Sequence, residues 1–414
     1  MVKFAILGHG TVGSGVAEVF FKNKASHEQK AGCGLELKYI LDLRDFPSLP
    51  YSNLFTKDFS DIVSDPEVSI VAELMGGLHP AFEYVTACLT AGKSVVTSNK
   101  ELVAMKGAEL LRLARDHGVS FLFEASVGGG IPIIRPLHQC LGANEITDIA
   151  GILNGTTNFI LTKMIRESYS FEQALALAQK LGYAEKDPSA DVDGLDAARK
   201  ICILASLAFG KHIYPSFVHT EGIRGVSLDD VRLADSAGYA IKLIGRASRQ
   251  PDGRLNVMVS PALLSKESQL AGVSDVFNGI LVRGDATGDV VFYGRGAGKM
   301  PTASAVMSDI LAAAKEPGAE RTLFWVDTGE NCVCDWRDTS CGYFLRLQSS
   351  DADAAAARAL ELLGKGRVVT AAGLPEDVRG VLVEPVLESR AVQAIALLRE
   401  EGVTVASAIR VLDY

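Results

Sequence analysis

A glycine motif near the amino terminus constrains the fold more than any other feature of the sequence. The apolar residues 3–7 predict a short buried strand that leads directly into Gly8-His9-Gly10-Thr11-Val12-Gly13, and residues 14–22 have helical character. In such a turn the first glycine permits the tight bend, the second lets a pyrophosphate approach the backbone, and the third lets the helix pack closely on the strand. The amino terminus of the helix then faces the phosphates. The motif therefore predicts a dinucleotide site formed by Gly8, Gly10, Thr11, Val12 and Gly13.

Strand-like and helical segments alternate over the first third of the chain. Strands are predicted at 35–43, 69–73, 94–97 and 120–123, and helices at 81–91 and 101–117. This alternation is typical of a doubly wound parallel sheet of the α/β class, whose ligands bind at the carboxyl ends of the strands. Residues 73–77 fall at such an end, and so do Thr97, Ser98 and Lys100. Lys100 is equally consistent with an ordinary solvated lysine at the start of a helix.

Two charged residues follow the second predicted strand, where a ribose-binding side chain belongs. Asp42 favours the free 2′-hydroxyl of NAD, whereas Arg44 favours the 2′-phosphate of NADP. Asp42 lies further from the glycines than the usual spacing of about 20 residues, and we interpret residues 27–34 as an insertion that accounts for the excess. Both charges are also consistent with solvated residues at a strand end. The sequence leaves the choice between NAD and NADP open.

Composition excludes several classes of function. Among 414 residues, 50 are acidic and 41 basic, and the net charge of -9 argues against nucleic acid, which needs a clustered positive surface. The longest strongly apolar run, residues 201–209, is shorter than the ~18 residues that cross a bilayer, so no membrane span is expected. Seven irregularly spaced cysteines predict reduced thiols in a cytoplasmic protein. The spacing of Cys332, Cys334 and Cys341 lacks the paired cysteines of a zinc site.

The segment that predicts the chemistry follows the predicted sheet. A strand at 145–153 ends in Asn154-Gly155-Thr156-Thr157-Asn158, and a helical run is predicted at 159–168. The polar groups before this run suit helix capping, and the exposed N–H groups equally suit a substrate carboxylate. Residues 182–200 then bring several carboxylates, and Asp196 and Lys200 share one face of an apolar helix because they lie four residues apart. A lysine beside a carboxylate where a buried helix begins is a candidate proton donor. A structural ion pair has the same pattern.

A run of three glycines, Gly128-Gly129-Gly130, follows the last predicted strand of the sheet and precedes Ile131-Pro132. Such a run holds no regular element, so its carbonyl groups can turn toward a ligand or a cation. A flexible hinge between domains fits the same composition.

Six ordered motifs resemble those of the homoserine dehydrogenase family over essentially the full length of the chain. The resemblance implies an enzyme that interconverts L-homoserine and L-aspartate 4-semialdehyde with NAD or NADP, a step toward threonine and methionine. The motifs are GHGTVG at 8–13, TSNKELVA at 97–104, FEASVGGGIP at 123–132, ILNGTTNFIL at 152–161, GYAEKDPSADVDGLDAARK at 182–200 and GRGAGKMPTASAVMSDI at 294–310.

The resemblance also implies roles for individual residues. Lys200 is implied to exchange a proton with the alcohol oxygen, with Asp196 and Lys100 completing the catalytic set. The residues implied to bind substrate are Glu185, Asp191, Asp196, Lys100, Gly155, Thr156 and Tyr183. The implied cofactor contacts add Asp42, Arg44, Thr97, Ser98, Lys100, Gly182 and Gly298 to the glycine motif. A monovalent cation, Na⁺ or K⁺, is implied to be held by the peptide oxygens of Glu124, Val127, Gly129 and Ile131.

Histidine has no role in this scheme. His79 and His138 are nearest to the motifs, and we interpret both as structural because neither has a carboxylate at orienting distance in the sequence.

Three domains are predicted. Residues 1–132 form an NAD(P)-binding Rossmann domain, residues 133–315 an α+β catalytic and dimerisation domain whose segment 294–315 returns to the first, and residues 340–414 a βαββαβ module. That module resembles the amino-acid-sensing ACT domain, but residues 349–353 lack the Pro-Gly of the usual effector turn, so threonine binding stays open. Such modules pair their edge strands with a second copy, which predicts a homo-dimer or homo-tetramer.

Two other hypotheses compete with this enzyme. One is an ACT-type regulator that senses an amino acid and carries a vestigial nucleotide-binding domain; Lys200, Asp196 and the intact glycine motif argue against it. The other is a different semialdehyde or amino-acid dehydrogenase on the same scaffold, which the segment 182–200 disfavours. In each case the ligand is a small molecule.

Overall fold

The computed structural model describes residues 1–316 and 323–414, which divide into two compact units. The first comprises Met1–Glu145, Cys202–Pro215 and Gly294–Glu330, and the second comprises Ile146–Ile201, Ser216–Tyr293 and Asn331–Tyr414. Residues 294–315 belong to the first unit, and residues 340–414 belong to the second rather than to a unit of their own. The division into three domains stays a prediction.

Strands and helices occur together in both units. In chain order, the strands are β1 (Val2–Leu7), β2 (Leu35–Leu41), β3 (Phe55–Thr56), β4 (Val68–Glu73), β5 (Ser94–Thr97), β6 (Phe121–Leu122), β7 (Ile146–Ile152), β8 (His219–Thr220), β9 (Tyr239–Arg249), β10 (Leu255–Ser265), β11 (Phe277–Gly284), β12 (Gly288–Arg295), β13 (Ser340–Gln348), β14 (Gly366–Val369), β15 (Val378–Leu387) and β16 (Thr404–Leu412). The helices are α1 (Thr11–Ala31), α2 (Ser60–Val63), α3 (Ala81–Thr90), α4 (Lys100–Asp116), α5 (Gly155–Glu167), α6 (Phe171–Lys180), α7 (Ser189–Val192), α8 (Leu195–Phe209), α9 (Leu228–Ser236), α10 (Lys299–Lys315), α11 (Ala352–Leu363) and α12 (Glu388–Glu400). None of the helices within the described ranges combines the length and hydropathy that a bilayer crossing needs.

The first unit contains the predicted parallel sheet. Its spatial order is β3-β2-β1-β4-β5-β6, the order of the doubly wound dinucleotide-binding fold. Strand β1 is a continuous apolar run in which residues 4–7 are fully buried, as expected when helices cover both faces of a parallel sheet. The chain leaves β1 in one direction toward β2 and returns on its other side to β4, so the carboxyl ends of β1 and β4 form the crevice in which ligands of this fold bind.

Helix α1 is much longer than its sequence predicts. It continues to Ala31 and ends at Gly32, which has the left-handed φ of 70° that favours glycine. The interpretation of residues 27–34 as an insertion is therefore wrong, because residues 27–31 are the last turn of this helix. The pattern was missed because residues 21–26 are exposed and polar for the most part, and because Asn23 departs from helical geometry with φ of -115°. A helix longer by these turns accounts for the distance between the glycine motif and Asp42.

The second unit is built on one long mixed sheet. Its order is β12-β11-β7-β9-β10-β16-β13-β15-β14, with β8 added beside β10. The last six elements follow the predicted order βαββαβ, and their outer strand β16 pairs in parallel with β10 from Ala262↔Arg410 to Leu264↔Leu412. A common apolar core runs under this junction; its members include Ile244, Leu264, Leu345, Val381 and Leu412. The C-terminal elements therefore extend the central sheet.

Candidate active site

Helix α8 carries the predicted ion pair on adjacent turns. Asp196 and Lys200 are both buried, at 5% and 7% exposure. The Lys200 Nζ donates to Asp196 Oδ2 at 2.9 Å and to the peptide oxygen of Leu153, just after β7, at 2.8 Å. Because an ammonium group has three N–H donors, one remains, and it has no partner among the residues that the structure describes. The amine is thus fixed by two acceptors and has one donor left for a ligand oxygen.

Asn154 is a member of this cluster that the sequence did not single out as a site residue. Its Oδ1 accepts a hydrogen bond from the Thr157 N–H at 2.9 Å and caps α5, as predicted for this motif. Its Nδ2 donates to Asp191 Oδ1 at 2.7 Å and to Asp196 Oδ2 at 2.9 Å. One amide therefore caps a helix with its oxygen and bridges two carboxylates with its nitrogen.

The two carboxylates give the cluster a net negative charge. Burial raises the pKa of the Asp191 carboxyl, the Asn154 amide lowers it, and the nearby Asp196 charge raises it further. With both carboxylates ionised, Asp191, Asp196 and Lys200 together carry one net negative charge in a partly buried place, where charges interact more strongly than in water. Such a cluster attracts a cationic group of a ligand.

Helix α5 begins at Gly155, four residues before the predicted helical run, so Gly155 and Thr156 belong to its first turn. The first N–H groups of a helix have no partner within the helix, and this first turn contains no acidic side chain to compete with an anion. Thr156 Oγ1 donates to the peptide oxygen of Tyr183 at 2.7 Å, which joins the turn to the segment 182–200. A side chain at Gly155 would place its Cβ 2.8 Å from the Val276 oxygen, so this position requires glycine.

Gly182 and Glu185 are exposed residues of the loop that joins α6 to α7. Gly182 has a φ of 77° just after α6, and the side chain of Glu185 makes no hydrogen bond or ion pair with any described residue. The peptide oxygen of Glu185 accepts from Gln179 Nε2 at 3.1 Å. The structure therefore joins Lys200, Asp196 and Asp191 in one cluster and leaves the Glu185 carboxylate outside it.

The glycine turn of the first unit fits a dinucleotide. Gly8 has a φ of 94°, and a Cβ at Gly13 would lie 1.9 Å from the Gly8 oxygen, so neither position accepts another residue without a shift of the backbone. A Cβ at Gly10 would meet nothing within 4 Å, which leaves open space beside the turn. Gly10 provides no side-chain cap, so the first N–H groups of α1 stay available for phosphate.

Asp42 and Arg44 lie at the rim of a cavity of about 500 Å³ that adjoins this turn. Asp42 accepts hydrogen bonds from the peptide N–H of His9 at 2.8 Å and from Arg44 Nε and Nη2 at 2.9 and 2.8 Å. The Arg44 guanidinium holds the pKa of this carboxyl well below its usual range. Lys57 also lines the cavity and pairs with Asp45 at 2.8 Å. The carboxylate is thus saturated, and the exposed charges at this rim include two cations.

Buried polar groups support the carboxyl ends of β4 and β5. Thr97 Oγ1 donates to Glu73 Oε2 at 2.7 Å, and burial raises the pKa of the Glu73 carboxyl. Asn99 Oδ1 accepts from the Leu102 N–H at 3.1 Å and caps α4, which begins at Lys100. Thr97 therefore helps to form this edge of the sheet, and Ser98 and Lys100 are partly exposed there.

The glycine loop is fixed in place. The Glu124 carboxylate accepts from the peptide N–H groups of Ile133, Ile134 and Arg135 at 2.6, 2.8 and 2.9 Å. Gly129 has a φ of 57°, and a Cβ there would lie 2.3 Å from the Gly296 oxygen, while the Gly130 N–H donates to the Arg295 oxygen at 3.0 Å. Because the carboxylate is already used, a cation here would depend on peptide oxygens, as the resemblance implies. These contacts argue against a flexible hinge.

The reason for which His79 was interpreted as structural is wrong, whereas the interpretation itself stays a prediction. His79 Nδ1 lies 2.6 Å from Glu83 Oε1, so a carboxylate four residues on does orient this ring. The pair is exposed on the surface.

A fold that binds a dinucleotide at its first turn, together with a buried amine that has a donor left for a ligand oxygen, defines an oxidoreductase that uses a nicotinamide cofactor. Comparison with known proteins gives the family. The family model for homoserine dehydrogenase matches residues 132–311, and the model for the homoserine dehydrogenase NAD binding domain matches residues 8–124. The homoserine dehydrogenase of Synechocystis sp. is 49% identical over 319 residues, which cover 75% of this chain and 72% of that protein. The chain belongs to the homoserine dehydrogenase family.

Solved structures agree with this assignment. A homoserine dehydrogenase from Thiobacillus denitrificans superposes with a TM-score of 0.88 and 35% identity, covering 100% of this chain and 98% of that chain. A hyperthermophilic archaeal homoserine dehydrogenase in complex with NADPH gives a TM-score of 0.64 and 30% identity, covering 76% of this chain and 98% of that chain. The predicted enzyme class is confirmed: the chain is an NAD(P)-dependent oxidoreductase that acts on a CH–OH group in amino-acid biosynthesis.

Proposed function

We propose that the cluster of Lys200, Asp196, Asp191 and Asn154 is the substrate and proton-transfer site of the homoserine dehydrogenase reaction. The observation that carries this proposal is the buried Lys200 amine, which two acceptors hold while its third donor stays available. Two acceptors alone do not distinguish Lys200, since Lys93 and Lys242 are buried and held by two acceptors as well. Lys200 differs because its partner Asp196 shares the Asn154 amide with a second carboxylate, Asp191. The regulator with a vestigial nucleotide-binding domain gives no reason for this arrangement.

The chain's own task in this reaction is to manage one proton and to orient the substrate. The nicotinamide cofactor supplies the hydride chemistry when bound. In the reductive direction the Lys200 ammonium donates a proton to the aldehyde oxygen of the semialdehyde, and in the oxidative direction the neutral amine takes the hydroxyl proton of homoserine. Asp196 and the Leu153 oxygen fix the direction of the Nζ–H bonds throughout. Asn154 keeps Asp196 in position for this task.

The charges of the cluster fit an amino-acid substrate. The α-ammonium group of homoserine complements the negative balance of Asp191 and Asp196, and the first N–H groups of α5 at Gly155 and Thr156 suit its carboxylate. Tyr183 and the unpaired Glu185 carboxylate are proposed as further substrate contacts, as the resemblance implies. Lys100, in the first unit, is proposed as a member of the same catalytic set on the resemblance alone.

A substrate lacking the amino group tests this recognition. We expect kcat/KM for 4-hydroxybutyrate to fall at least about 100-fold below that for L-homoserine, because buried carboxylates that lose their ionic partner destabilise the complex strongly. The measurement is the initial rate of NADP reduction with each alcohol. Equal use of the two alcohols would contradict the proposed recognition.

We propose that NADP is accepted as well as NAD. Arg44 and Lys57 provide positive charge at the rim of the cavity, and Asp42 is neutralised by Arg44, so a 2′-phosphate meets cations rather than a bare carboxylate. The NADPH complex of the archaeal relative supports this choice for the family. Besides the glycine turn, Asp42 and Arg44, the proposed cofactor contacts are Thr97, Ser98, Lys100, Gly182 and Gly298.

Removal of Arg44 tests the preference. We expect Arg44→Ala to raise KM for NADP about tenfold or more and to leave KM for NAD nearly unchanged. The variant loses a positive charge and leaves the Asp42 carboxylate without its neutralising partner, which disfavours the 2′-phosphate that NAD lacks. Arg112→Ala, which changes an exposed arginine on α4, is the matched control. An equal rise in both KM values, or no change, would contradict the assignment.

We propose that the loop of residues 124–131 holds a monovalent cation. The glycine contacts and the saturated Glu124 carboxylate support binding by the peptide oxygens of Glu124, Val127, Gly129 and Ile131. The ion would add positive charge that stabilises the turned carbonyl groups. We expect Tm to be higher in NaCl or KCl than in choline chloride at equal ionic strength; identical values in all three salts would rule out a specific site.

We propose a homo-oligomer, either a dimer or a tetramer, in the cytoplasm. Within the described residues the long sheet ends in β12 on one side and in β14 on the other. Because β16 is already paired with β10, β14 is the edge that the C-terminal elements leave available for a second copy. All seven cysteines are free thiols, which supports a reducing compartment. Light scattering coupled to size exclusion gives the subunit number, and a monomer at micromolar concentration would contradict this proposal.

A further inference from the structure

We propose that Arg410, Glu221 and Arg224 are positioning residues through which the C-terminal βαββαβ elements hold the segment that carries Asp191 and leads to Asp196. This inference rests on the proposed substrate site. We call residues 219–224 the clasp, because they contact both the C-terminal elements and residues 189–194.

The first half of the connection is an ion network in which Arg410 and Glu388 are buried and Glu221 is partly exposed. Arg410, on β16, is 2% exposed, and its Nη1 donates to Glu221 Oε1 at 2.9 Å. The Nε of Arg410 donates to Glu388 Oε2 at 2.8 Å, and the fully buried Glu388 also accepts from the Tyr343 hydroxyl at 2.8 Å. Buried charges of this kind have fixed geometry, because any displacement leaves a charge without its partner. Glu221 is therefore tied to strands β13 and β16 and to the start of α12.

The second half of the connection is made by the backbone of the clasp. The Glu221 N–H donates to the Val259 oxygen at 2.8 Å, which fixes the clasp against β10. The Ile223 N–H donates to the Val192 oxygen at 2.8 Å, and a Cβ at Gly222 would lie 2.2 Å from that same oxygen. The clasp thus contacts α7 through a backbone hydrogen bond and leaves no room for a side chain at Gly222.

Arg224 completes the connection with side-chain contacts. Its Nε donates to Asp193 Oδ1 at 2.5 Å, and its Nη2 donates to Ser189 Oγ at 3.1 Å. Gly194, which follows Asp193, has a φ of 84°, and a Cβ there would lie 3.0 Å from Thr220 Cγ2. The residues on either side of Asp191 and immediately before α8 are therefore held by the clasp.

The position of the two site carboxylates thus depends on two separate sets of contacts. Asn154 binds Asp191 and Asp196 from the end of β7, and the clasp holds the backbone between them. None of the three positioning residues is bonded to Lys200. The clasp is accordingly a device for positioning, and we expect it to act on substrate affinity.

Substitution of Arg224 tests the inference with little risk to folding, because this side chain is 48% exposed. We expect Arg224→Ala to raise KM for homoserine at least about fivefold while kcat and KM for NADP change less than twofold. Arg224→Lys, which keeps the charge but not the paired geometry, should recover part of the loss. Arg254→Ala is the matched control, since Arg254 pairs with Asp252 at 2.7 Å and is 52% exposed, away from the clasp.

Substitution of the buried end tests the connection itself. We expect Arg410→Lys to raise KM for homoserine in the same way, and the double variant with Arg224→Ala to show less than the product of the two single effects, because both act on one segment. If Arg410→Lys does not fold, as judged by circular dichroism, the Arg224 pair decides the matter alone. An unchanged KM in Arg224→Ala, equal rises for homoserine and NADP, or fully multiplicative effects would overturn the inference. A wild-type chain that does not turn over homoserine would instead overturn the proposed function.

Discussion

The surroundings of Lys200 are what support the chemical role that we propose for it. An exposed pair of the same spacing is worth only about 0.3–0.5 kcal/mol and leaves the amine free to move. Here the Asp196 carboxylate and the Leu153 oxygen use two of the three donors, so the third has a fixed direction. The same two contacts compensate for the burial of the charge. This arrangement is the one that the proposed proton transfer requires.

A substitution of Asn154 should separate its role as a helix cap from its role in the proposed site. Asn154→Asp keeps a capping oxygen, since aspartate caps helices as well as asparagine does. It replaces the donor between Asp191 and Asp196 with a third negative charge, which raises the pKa values of the carboxyl groups around it. We expect kcat/KM for homoserine to fall at least about tenfold while Tm changes by no more than a few degrees. Measurement of both quantities on one preparation is decisive, and wild-type kinetics in this variant would remove Asn154 from the site.

The sequence predicts some of these residues and misses others for one physical reason. Asp196 and Lys200 are four residues apart on a helix, so their contact follows from helical geometry alone. The contacts of Asn154 with Asp191 and Asp196 span 37 and 42 residues, and no local rule predicts them. The Glu185 carboxylate was implied by resemblance, and its place outside the cluster follows from the exposed loop after α6.

At the scale of secondary structure, the turn between β1 and α1 contains two glycines whose substitution by alanine should have different effects on Tm. We expect Gly13→Ala to lower both Tm and NADPH affinity, because its Cβ would collide with the Gly8 oxygen. Gly10→Ala should keep wild-type Tm, since its Cβ meets nothing within 4 Å, yet weaken NADPH binding at least about tenfold because the methyl group occupies the place of the pyrophosphate. Thermal melting and fluorescence titration measure the two effects. Wild-type affinity in Gly10→Ala would place the phosphates elsewhere.

Strand β9 contains a buried lysine whose titration should make the stability of the fold depend on pH. Lys242 is 2% exposed, its Nζ donates to the Val273 oxygen at 2.5 Å, and burial lowers its pKa from 10.5 to about 8. Because the unfolded chain binds this proton more tightly, the folded state carries the cost of a buried charge at low pH and is relieved of it as pH rises from about 8 toward 10.5. This relief amounts to about 3 kcal/mol at most.

The variant Lys242→Met removes that dependence. We expect the free energy of unfolding of the wild type to increase relative to the variant between about pH 8 and pH 10, as measured by urea denaturation at several pH values. Parallel curves for the two proteins over this range would show that the lysine does not titrate as described.

The strands and helices could be predicted from the sequence where a short run of neighbouring residues determines them. Apart from the two-residue β3, the strands of the first unit were predicted within two residues of their observed ends, because buried parallel strands are short apolar runs between turns. Helix α1 was not, because its second half has few apolar residues and the kink at Asn23 breaks the periodicity. The start of α5 was misplaced because Gly155 has a low helical propensity, and the Asn154 cap determines the start instead.

At the scale of the whole chain, the joining of the C-terminal elements to the central sheet is the feature that the sequence did not predict. The alternation of strand-like and helical segments predicted the βαββαβ order. The parallel pairing of β10 with β16 joins segments that are distant in sequence, so no local pattern predicts it. Two consequences follow from that pairing: the β16 edge is covered within the chain, and Arg410 lies within hydrogen-bonding distance of Glu221.

Truncation tests the structural side of this arrangement. Removal of residues 340–414 would uncover the edge of β10 and leave the Glu221 and Arg246 charges without Glu388 and Arg410. We expect the shortened chain to aggregate or to melt at least about 10 °C lower than the full chain, because an exposed strand edge and unpaired buried charges both destabilise the fold. Size exclusion and thermal melting measure this. A monodisperse truncated protein with wild-type Tm would mean that the C-terminal elements are only appended to the sheet.

The proton that Lys200 transfers is the centre of the proposed mechanism, and the variant Lys200→Met measures its contribution most directly. Loss of a general acid or base typically slows a reaction by about 10²–10⁴-fold, so we expect kcat for homoserine oxidation to fall by at least about 10³-fold. The dissociation constant for NADPH should stay within twofold of wild type, and Lys266→Met, which changes an exposed lysine paired with Asp235, should keep full activity. A Lys200→Met variant that turned over homoserine at a rate near wild type would contradict the mechanism.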